Sequence, residues 1–411
     1  MDLQEEYFKQ SKLKLKNNRL IPRSNNKIIN KPILESTPKE NLIKINIKEL
    51  TKNEPIINNF NSMDDLYQIR QNRIFKRNII LNPNIKYLAS DIKIVSYNIL
   101  VPFMIYTKKY EHIKKDSSIM WFYRWELIKR EIEYYNPDII CFQEVQNDLF
   151  LRDMLPYFSS IKYMGHFISM EPIDARVDRY TEKFNNSNVL GIATFYRTDR
   201  FRLNKIHSFE YLKTATRLNP NIPIDRLNYR FGNLILELAD LASNKVFFVS
   251  NIHIISSPQL EDIKTYMIYL TLKYSNRLTN HHQIPFILCG DFNSRPTSSV
   301  YKGITTGINP NEYEFDYDTS IKPILPILES PTKYTKYSLT SSYASITGSE
   351  PSYAHYVEKF IGTLDYIFVN NQCNIIAVLE ELKLINVKSI PDEYNPSDHI
   401  LQMSIIRIKT E

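Results

Sequence analysis

The sequence is poor in the residues that build disulfide frameworks and membrane spans. Its 411 residues include three cysteines, Cys141, Cys289 and Cys373. A sparse, odd set of cysteines argues against a disulfide-stapled fold and favours a reducing compartment. No apolar run approaches the roughly 18 residues of a membrane-spanning helix, and the first residues lack the basic and apolar segments of a signal peptide. We therefore expect a soluble intracellular protein, with the cytoplasm as its compartment and no membrane partner.

Several common catalytic motifs are also missing. The chain has eight glycines, and they form neither a Gly-rich phosphate loop nor a Gly-x-Gly-x-x-Gly dinucleotide motif. No serine lies in a nucleophile elbow, and the cysteines and histidines lack the spacing of a zinc ribbon. The pattern therefore disfavours an NTPase or a dehydrogenase.

Positive charge is concentrated near the N-terminus. Residues 1–90 carry 17 Lys and Arg against 9 Asp and Glu, whereas the other 321 residues carry 35 against 36. Because the N-terminal part is also rich in Asn and Ile and has no long periodic segment, we expect residues 1–88 to be a flexible or loosely packed extension. Such a basic arm either contacts nucleic acid non-specifically or is a solvated tail. The folded domain is predicted to span residues 89–411.

Beyond residue 90, apolar strands alternate with amphipathic helices. Residues 93–100 and 138–145 have the pattern of buried strands, and the helical spacing over 124–135 between them predicts a parallel crossover unit. A long helix after Pro258 leads into another buried strand at 285–290. Further strands are expected at 161–168, 192–203, 231–239, 246–254, 364–369, 374–380 and 400–408. This mixture predicts two β-sheets packed on each other, with helices outside.

Polar side chains of similar chemistry stand at the ends of these strands. Asp291 and Asn293 follow one buried strand and, two residues apart, point to the same side. Other strand ends carry a matching set of carboxylate, amide or imidazole groups: Asn98, Glu144, Asn251, His253, Asp365, Asp398 and His399. Each group alone is compatible with a turn, a cap or an ordinary buried histidine. Their recurrence in one near-neutral domain indicates a shared site.

The chemistry of this set favours a metal-dependent hydrolase. Oxygen ligands with few thiolates select a hard cation such as Mg²⁺ or Mn²⁺. Such an ion neutralises charge on a phosphate, a carboxylate orients the attacking water, and His or Asn donors stabilise the transition state. The sequence therefore predicts phosphodiester hydrolysis with one or two bound ions.

These motifs, in this order, resemble those of the endonuclease/exonuclease/phosphatase superfamily of Mg²⁺-dependent enzymes. The matching segments are residues 96–100, 141–145, 251–253, 290–294, 365–368 and 396–399. The resemblance covers about residues 91–408. It implies an α/β fold, a four-layer α/β/β/α sandwich of two packed mixed β-sheets with outer helices.

The resemblance also implies a role for each matching residue. Three residues would hold or support the metal: Glu144 as the principal ligand, Asn98 beside it, and Asp398. Asp291 would orient or deprotonate the attacking water, and Asn293 would hold the phosphate or a second metal. His253 would donate to the scissile phosphate. His399, polarised by Asp365, would stabilise the transition state or help to bind a second metal.

Local detail is most similar to the deadenylase branch, which also holds nocturnin, Angel-type proteins and the 2′-phosphodiesterases. In that branch a proline and a phenylalanine sandwich an adenine, and the matching residues here are Pro258 and Phe360. We add Asn251 as a further substrate-binding candidate. Stacking on an aromatic side chain contributes roughly 1–3 kcal/mol per base and is tolerant of sequence. The alternative is that Pro258 opens a helix and Phe360 belongs to the core.

Residues 303–360 have few periodic runs and resemble the substrate loop of this branch. The chain departs from the branch pattern at Leu190, Ile192, Ala354 and Val357, which leaves a preference for poly(A) open. No leucine-rich repeats precede the domain, so we do not expect docking to a large deadenylase complex through such repeats.

The function implied is a Mg²⁺-dependent 3′-exoribonuclease that removes poly(A) from mRNA, with single-stranded RNA as its partner. The first alternative is a nocturnin- or Angel-like phosphatase acting on a nucleotide or on the 3′-end phosphate of an RNA. A DNA-repair endonuclease and a catalytically silent binding module are more distant alternatives. A silent module would predict gaps among the metal and phosphate ligands, and the sequence has none.

Overall fold

The computed structural model describes residues 77–105, 110, 120–170, 190–218, 232–307, 337–385 and 387–409. The predicted N-terminal extension lies outside the described residues up to position 76, as do residues 308–336 of the predicted substrate loop. Among the described residues we find no helix that is both long and apolar enough to cross a bilayer.

The strands form two large sheets and a small one. In chain order they are β1 (Ile79–Leu81), β2 (Ile92–Asn98), β3 (Ile139–Gln146), β4 (Tyr163–Ser169), β5 (Leu190–Arg197), β6 (Phe201–Glu210), β7 (Gly232–Asp240), β8 (Val246–His253), β9 (Phe286–Asp291), β10 (Thr340–Ser341), β11 (His355–Val357), β12 (Phe360–Gly362), β13 (Asp365–Val369), β14 (Cys373–Leu379) and β15 (Gln402–Ile408). One sheet has the order β1-β14-β15-β2-β3-β5-β4 and the other β10-β13-β9-β8-β7-β6, while β11 and β12 form a two-stranded sheet.

Helices connect these strands. They are α1 (Pro102–Ile105), α2 (Trp121–Tyr135), α3 (Asn147–Leu149), α4 (Leu155–Ser160), α5 (Tyr211–Leu218), α6 (Glu261–Leu278), α7 (Ser299–Thr306) and α8 (Ser342–Thr347). A π-helical segment, Phe150–Met154, joins α3 to α4, and a 3₁₀ turn, Pro258–Leu260, precedes α6.

Each large sheet has one parallel pair at its centre. In the first sheet β2 runs parallel to β3, and α2 is the crossover between them. In the second, β8 runs parallel to β9, with α6 as the crossover. The remaining printed pairs in these sheets are antiparallel, so both sheets are mixed, as predicted. The carboxyl ends of parallel strands lie at one edge of a sheet, and here those ends carry the polar side chains.

Three apolar layers hold the sheets and helices together. Between the sheets, Ile94 and Cys141 of the first belong to the same buried cluster as Val249 and Cys289 of the second. On the outer faces, α2 packs on the first sheet through residues such as Ile128. The helix α6 covers the second sheet in a matching way. The predicted α/β/β/α sandwich is confirmed.

The structure differs from the predicted elements in three places. Arg77 and β1 belong to the folded domain, because Ile79–Leu81 pairs with β14 along the edge of the first sheet, so this domain begins before residue 89. The predicted strand 192–203 is two strands, β5 and β6, which lie in different sheets. The described parts of the predicted loop, residues 303–307 and 337–360, contain the end of α7, then β10, α8, β11 and the first residue of β12.

Candidate active site

The ends of the two parallel pairs meet where the sheets pack together. Asn98 ends β2 and Asp291 ends β9. The Nδ2 of Asn98 donates to Asp291 Oδ2 at 3.0 Å and to Glu144 Oε1 at 3.3 Å. Because Glu144 lies on β3, this one amide joins carboxylates from both sheets. The structure thus brings together three residues that the sequence placed on separate strands.

Strand register sets Asp291 between two further functional groups. On β8, His253 is the direct partner of Asp291, and on β13 the partner is Asp365. The Nε2 of His253 lies 3.6 Å from Asp291 Oδ2. The imidazole of His399, from the segment before β15, reaches the same oxygen at 3.7 Å through Nε2. Asp291 is therefore surrounded by two imidazoles, an amide and a carboxylate.

Gly290 allows this close packing of strands. Its φ is +153°, and a Cβ built on it would lie 2.0 Å from the carbonyl oxygen of Ile252 on β8. Any side chain at this position would push β8 away from β9. The glycine therefore sets the distance between the strand ends that carry His253 and Asp291.

Glu144 reaches the site because β3 is irregular at this point. The register with β5 shifts between Phe142 and Val145, and Glu144 has a left-handed φ of +56°. Left-handed backbone is uncommon for residues other than glycine and concentrates at functional sites. The bulge takes the Glu144 carboxylate out of the regular alternation of strand side chains. Its Oε2 accepts a hydrogen bond from Val101 N at 3.0 Å.

Asn293 is held in a second left-handed position, with φ of +45°. Its N–H donates to Asp291 Oδ1 at 2.8 Å, and its Nδ2 donates to the carbonyl of Ile254 at 2.9 Å. The ammonium of Lys264, on α6, donates to the Asn293 carbonyl at 2.7 Å. These contacts fix the turn after β9, so the orientation of Asp291 depends on α6 as well as on the sheet.

His399 is oriented by a carboxylate. Its Nδ1 lies 2.7 Å from Asp365 Oδ2, which leaves Nε2 to face Asp291. Burial alone would lower the pKa of His399, but the carboxylates of Asp365, Asp291 and Asp398 outweigh it and raise that pKa to about 10. A positive charge is therefore favoured next to Asp291.

The surrounding charges affect the two aspartates differently. Burial opposes ionisation of Asp291, yet the charges of His399 and His253 hold its pKa below the usual value. Burial raises the pKa of Asp365 to about 7, although the charge of His399 partly opposes this shift. Asp291 is thus the carboxylate best suited to accept a hydrogen bond from a water molecule at neutral pH.

Asp398 lies in an adjoining group of side chains that includes a residue the sequence did not identify. The Nε2 of His355, on β11, lies 3.1 Å from Asp398 Oδ2, and the hydroxyl of Tyr110 donates to the same oxygen. His355 escaped notice because it lies in a segment without periodicity. The flanking tyrosines, Tyr353 and Tyr356, are three residues apart and form no strand period that would have identified it.

Asn251 lies between the sheets. Its Nδ2 donates to the carbonyls of Phe142 and Ala193 at 3.1 and 3.0 Å, and its Oδ1 accepts from Gln143 Nε2 at 2.8 Å. It has no exposed surface. This geometry gives Asn251 a structural role in joining the sheets, and its contact with substrate remains a prediction.

The two predicted stacking residues lie at the surface. Pro258 is exposed at the start of the 3₁₀ turn before α6. Phe360 is half-buried, with its ring centroid 5.3 Å from that of His355. The guanidinium of Arg295 lies 4.7 Å from the Phe360 centroid. The ring predicted to stack on a base thus already contacts a cation, which the sequence gave no reason to expect.

Arg124 is a second residue that sequence reasoning missed as part of the site. It is fully buried on α2, where it donates to the carbonyls of Ile99 and Leu100 and to that of Pro396, at 2.6 to 2.8 Å. Burial lowers its pKa to about 10. The guanidinium therefore clamps the segment after Asn98 to the segment before Asp398. The sequence did contain a signal for Arg124, since it is a charged residue on the apolar face of a predicted helix.

The residues present fit a divalent cation. Asp291, Asp365 and His399 each offer a ligand atom, and these atoms lie within 4.8 Å of one another. Among the described residues, Asp365 Oδ1 is buried without a hydrogen-bond partner. Together with the Glu144 carboxylate, this oxygen-rich set suits a hard ion. Asn98 donates through its amide nitrogen here, so its role as a metal ligand remains a prediction.

The chain is similar to known proteins of one family. The profile of the Endonuclease/Exonuclease/phosphatase family matches residues 124–399. Carbon catabolite repressor protein 4 homolog 1 of Arabidopsis thaliana is 28% identical over 357 residues, with 76% of this chain and 57% of the relative covered. The CCR4-Not complex 3′-5′-exoribonuclease subunit Ccr4 of Mycosarcoma maydis is 26% identical, with 80% of this chain and 54% of the relative covered. The chain thus spans little more than half the length of these relatives.

Solved structures share the architecture. ANGEL2, described as a 2′,3′-cyclic phosphatase, aligns with a TM-score of 0.65 and 22% identity over 82% of this chain and 99% of that one. The human nocturnin catalytic domain aligns with a TM-score of 0.57 and 22% identity, over 82% of this chain and 98% of that one. At this identity the likeness shows the fold alone. The family match covers more than half of the sequence, and the chain belongs to the Endonuclease/Exonuclease/phosphatase family. The predicted resemblance is confirmed.

Proposed function

We propose that this protein is a Mg²⁺-dependent phosphodiesterase, and specifically a 3′-exoribonuclease that shortens poly(A). The observation that carries the hydrolytic part is the arrangement around Asp291, a buried carboxylate in contact with Asn98 and flanked by His253 and His399. A carboxylate held ionised between two imidazoles can orient a water molecule while the imidazoles contact the phosphate.

Each side chain then has a distinct task. Asp291 accepts a hydrogen bond from the attacking water, and Asn98 fixes the carboxylate at 3.0 Å. His253 and His399 donate to non-bridging oxygens of the phosphate. Mg²⁺ bound by Glu144, with Asn98 beside it and Asp398 in support, would neutralise phosphate charge. Asn293 holds the turn that presents Asp291, through its N–H at 2.8 Å.

The RNA substrate is supported by the relatives and by Phe360. The Mycosarcoma maydis relative is named a 3′-5′-exoribonuclease, and the family match over residues 124–399 contains Glu144, His253, Asp291, Phe360 and His399. Phe360 offers an aromatic ring close to the His355–His399 pair, where a terminal base could stack while its phosphate reaches Asp291. Pro258 is proposed as the other face of this sandwich, and a cytoplasmic location remains a prediction.

The test is a digestion panel with purified full-length protein and Mg²⁺. The substrates are 5′-labelled oligo(A), oligo(U) and the same oligo(A) with a 3′-phosphate, together with a phosphorylated dinucleotide. We expect stepwise shortening of oligo(A) that is abolished in Glu144→Gln and Asp291→Asn. The matched control is Glu237→Gln, which removes a carboxylate paired with His207 at the far edge of the second sheet. A wild-type protein inert on every RNA would contradict the proposal.

A phosphatase is the second candidate, and Arg295 is the observation that favours it. Arg295 is exposed, and no carboxylate lies within ion-pair distance of it among the described residues. Its guanidinium covers a face of Phe360. A substrate that approaches this face meets a group that binds phosphate instead of an uncovered aromatic ring. Release of inorganic phosphate from the 3′-phosphorylated RNA or the dinucleotide, with oligo(A) left intact, would establish this activity instead.

A further inference from the structure

A cavity of about 400 Å³ lies on the outer side of the second sheet, and none of the proposed catalytic residues lines it. Three elements form its walls: the end of β6 with Phe209 and Glu210, α5 with Lys213 and Arg217, and α6 with Tyr274. Cavities that bind ligands in proteins typically measure about 300–1,000 Å³. The volume is therefore in the range that holds a small molecule or one unit of a polymer.

Strand register places this cavity at the same end of the second sheet as the candidate active site. Glu210 pairs with Gly232 at the start of β7, and that start lies beside the carboxyl end of β8, which carries His253. Strand β6 is three strands away from β9, so at about 4.8 Å per strand their ends are roughly 15 Å apart. A single strand of RNA with its 3′ end at Asp291 needs only a few nucleotides to cover this distance.

Two aromatic rings form the apolar part of the cavity. The centroids of Phe209 and Tyr274 lie 4.8 Å apart, with an angle of 45° between the rings. Phe209 is buried, whereas Tyr274 is half-buried and lines the cavity with the exposed part of its side chain. Aromatic side chains of this kind are the platforms on which bases of single-stranded nucleic acids stack.

Two cations line the opposite wall without a partner. Lys213 and Arg217 are exposed and lie one turn apart on the same face of α5. In the part of the chain that the structure describes, neither head group forms an ion pair. Like charges at this spacing destabilise a helix. A phosphate between the two head groups removes this repulsion and accepts charge-assisted hydrogen bonds from both.

Glu210 gives the cavity an acceptor beside its cations. The residue is half-buried at the end of β6 and lines the same cavity. Its carboxylate repels a phosphate but accepts a hydrogen bond from the exocyclic amino group of a base, which adenine and cytosine carry and uracil lacks. The cavity therefore combines a cationic wall, an aromatic surface and an acceptor for an amino group.

We propose that this cavity binds an internal nucleotide of a single-stranded RNA, with a preference for adenine or cytosine over uracil. The base stacks against Tyr274 and Phe209, its amino group donates to Glu210, and its phosphate lies between Lys213 and Arg217. The inference rests on the proposed action on RNA and extends it, because it assigns a contact upstream of the 3′ end that the active site holds.

The experiment measures fluorescence anisotropy of labelled oligo(A) with full-length protein in EDTA, so that binding is observed without cleavage. The RNAs have about three and about 15 nucleotides, since single-strand sites span roughly 4–16 nucleotides. In the double variant Lys213→Ala/Arg217→Ala we expect affinity for the longer RNA to fall at least about tenfold. The slope of log affinity against log salt should fall by about 1.4, or about 0.7 for each lost phosphate contact. Binding of the shorter RNA should not change.

The matched control is Arg202→Ala/Lys205→Ala. It removes the same charge from two exposed positions of β6 that do not line the cavity, and it should bind both RNAs like the wild type. A separate variant, Glu210→Gln, tests the base preference. We expect the ratio of affinities for oligo(A) and oligo(U) of the longer length to narrow roughly tenfold, because a hydrogen bond to a charged acceptor is weakened.

Three outcomes would overturn the proposal. One is an unchanged affinity and salt slope in the Lys213/Arg217 variant. Another is an equal loss in the Arg202/Lys205 control, which would assign the effect to overall charge. The third is an unchanged ratio of oligo(A) to oligo(U) binding in Glu210→Gln, which would remove the base preference. None of these readouts depends on hydrolysis. A protein that is inert in the digestion panel but shows the expected binding pattern would contradict the proposed function and leave this nucleotide site in place.

Discussion

Asp365 and His399 form a buried pair in which the Nδ1 of the histidine lies 2.7 Å from the carboxylate. A protonated imidazole donates from both ring nitrogens. With Nδ1–H directed at Asp365, Nε2 is the nitrogen that faces Asp291 at 3.7 Å. Asp365 therefore acts through His399, as a positioning residue that orients the ring and sustains positive charge beside Asp291.

This relationship predicts the effect of Asp365→Asn. The amide keeps the size of the side chain but removes the negative charge that sustains the positive charge of His399. We expect kcat to fall about 10²–10⁴-fold, the range for loss of a positioned acid or base, with KM nearly unchanged. Steady-state kinetics on the best substrate of the digestion panel measures both.

The matched control for this variant is Asp199→Asn. Asp199 also pairs with a cationic side chain, Arg197, at 2.9 Å, but at the surface. Its loss should leave both kinetic constants unchanged. A rise in KM at constant kcat for Asp365→Asn would show instead that the pair only shapes the binding surface.

Gly290 gives a prediction about stability. In Gly290→Ala the new methyl would lie 2.0 Å from the Ile252 carbonyl, so β8 and β9 must separate at the edge that carries His253 and Asp291. We expect the free energy of unfolding to fall by at least about 1–3 kcal/mol, as in overpacked interiors, and activity to fall with it. Urea denaturation followed by circular dichroism measures the first effect.

Gly348→Ala separates crowding from backbone strain. Gly348 has φ of +81°, but a Cβ there meets nothing within 4 Å. It should lose only about 1–2 kcal/mol, the cost of left-handed backbone for a residue with a Cβ. Equal losses in the two variants would mean that contact with Ile252 is unimportant.

The sequence predicted the residues around Asp291 because buried strands have a recognisable pattern of apolar and polar residues. A continuous apolar run followed by a polar pair identifies a strand end, and alternation tells which side chains share a face. On this basis Asp291, His253 and Asp365 were all identified. The register of their strands was not predicted. Pairing between strands that are distant in the sequence depends on packing across the sheet, and no local sequence pattern indicates it.

The features that escaped prediction have physical reasons of the same kind. Glu144 was predicted as a site residue, but the bulge that turns it into the site was not. A bulge interrupts the alternation on which strand prediction rests. His355 lies on β11, a strand of three residues that is too short to show a period. Strand β1 gains its stability from pairing with β14, so the composition of residues 79–81 alone gave no sign that they belong to the domain.

Arg295 predicts a difference between two kinds of RNA end. In Arg295→Leu the cation over Phe360 is lost, whereas the ring stays available to a base. We expect KM for 3′-phosphorylated RNA to rise about 10–100-fold, because a hydrogen bond to a charged group contributes about 1.5–3 kcal/mol. KM for oligo(A) with a 3′-hydroxyl should stay the same or fall.

Arg295→Lys is the matched variant, since it keeps the charge but loses the planar group that lies over the ring. It should retain part of the preference for a 3′-phosphate. If Arg295→Leu raised KM equally for both RNA ends, Arg295 would serve as a general contact to the RNA backbone, and the argument for a phosphatase would be lost.

Glu131 predicts how stability depends on pH. It is buried on α2, with Arg77 Nη2 at 3.5 Å, and burial raises its pKa from 4.5 to about 7. The folded protein therefore keeps this proton up to about pH 7, whereas the unfolded chain releases it near pH 4.5. Stability from this group is present below about pH 4.5 and is lost as pH rises through 7. Glu131→Gln is neutral throughout, so the loss between pH 5 and 8 should shrink by about 2–3 kcal/mol.

Urea denaturation at a series of pH values measures this difference, and Glu133→Gln provides the control. Glu133 lies on the same helix but is exposed, and Glu133→Gln should keep the pH profile of the wild type. Because Arg77 also donates to the Leu401 carbonyl at 2.9 Å, the guanidinium keeps a partner in Glu131→Gln. A variant with the full pH dependence of the wild type would show that Glu131 is ionised in the folded state, with Arg77 compensating for its burial.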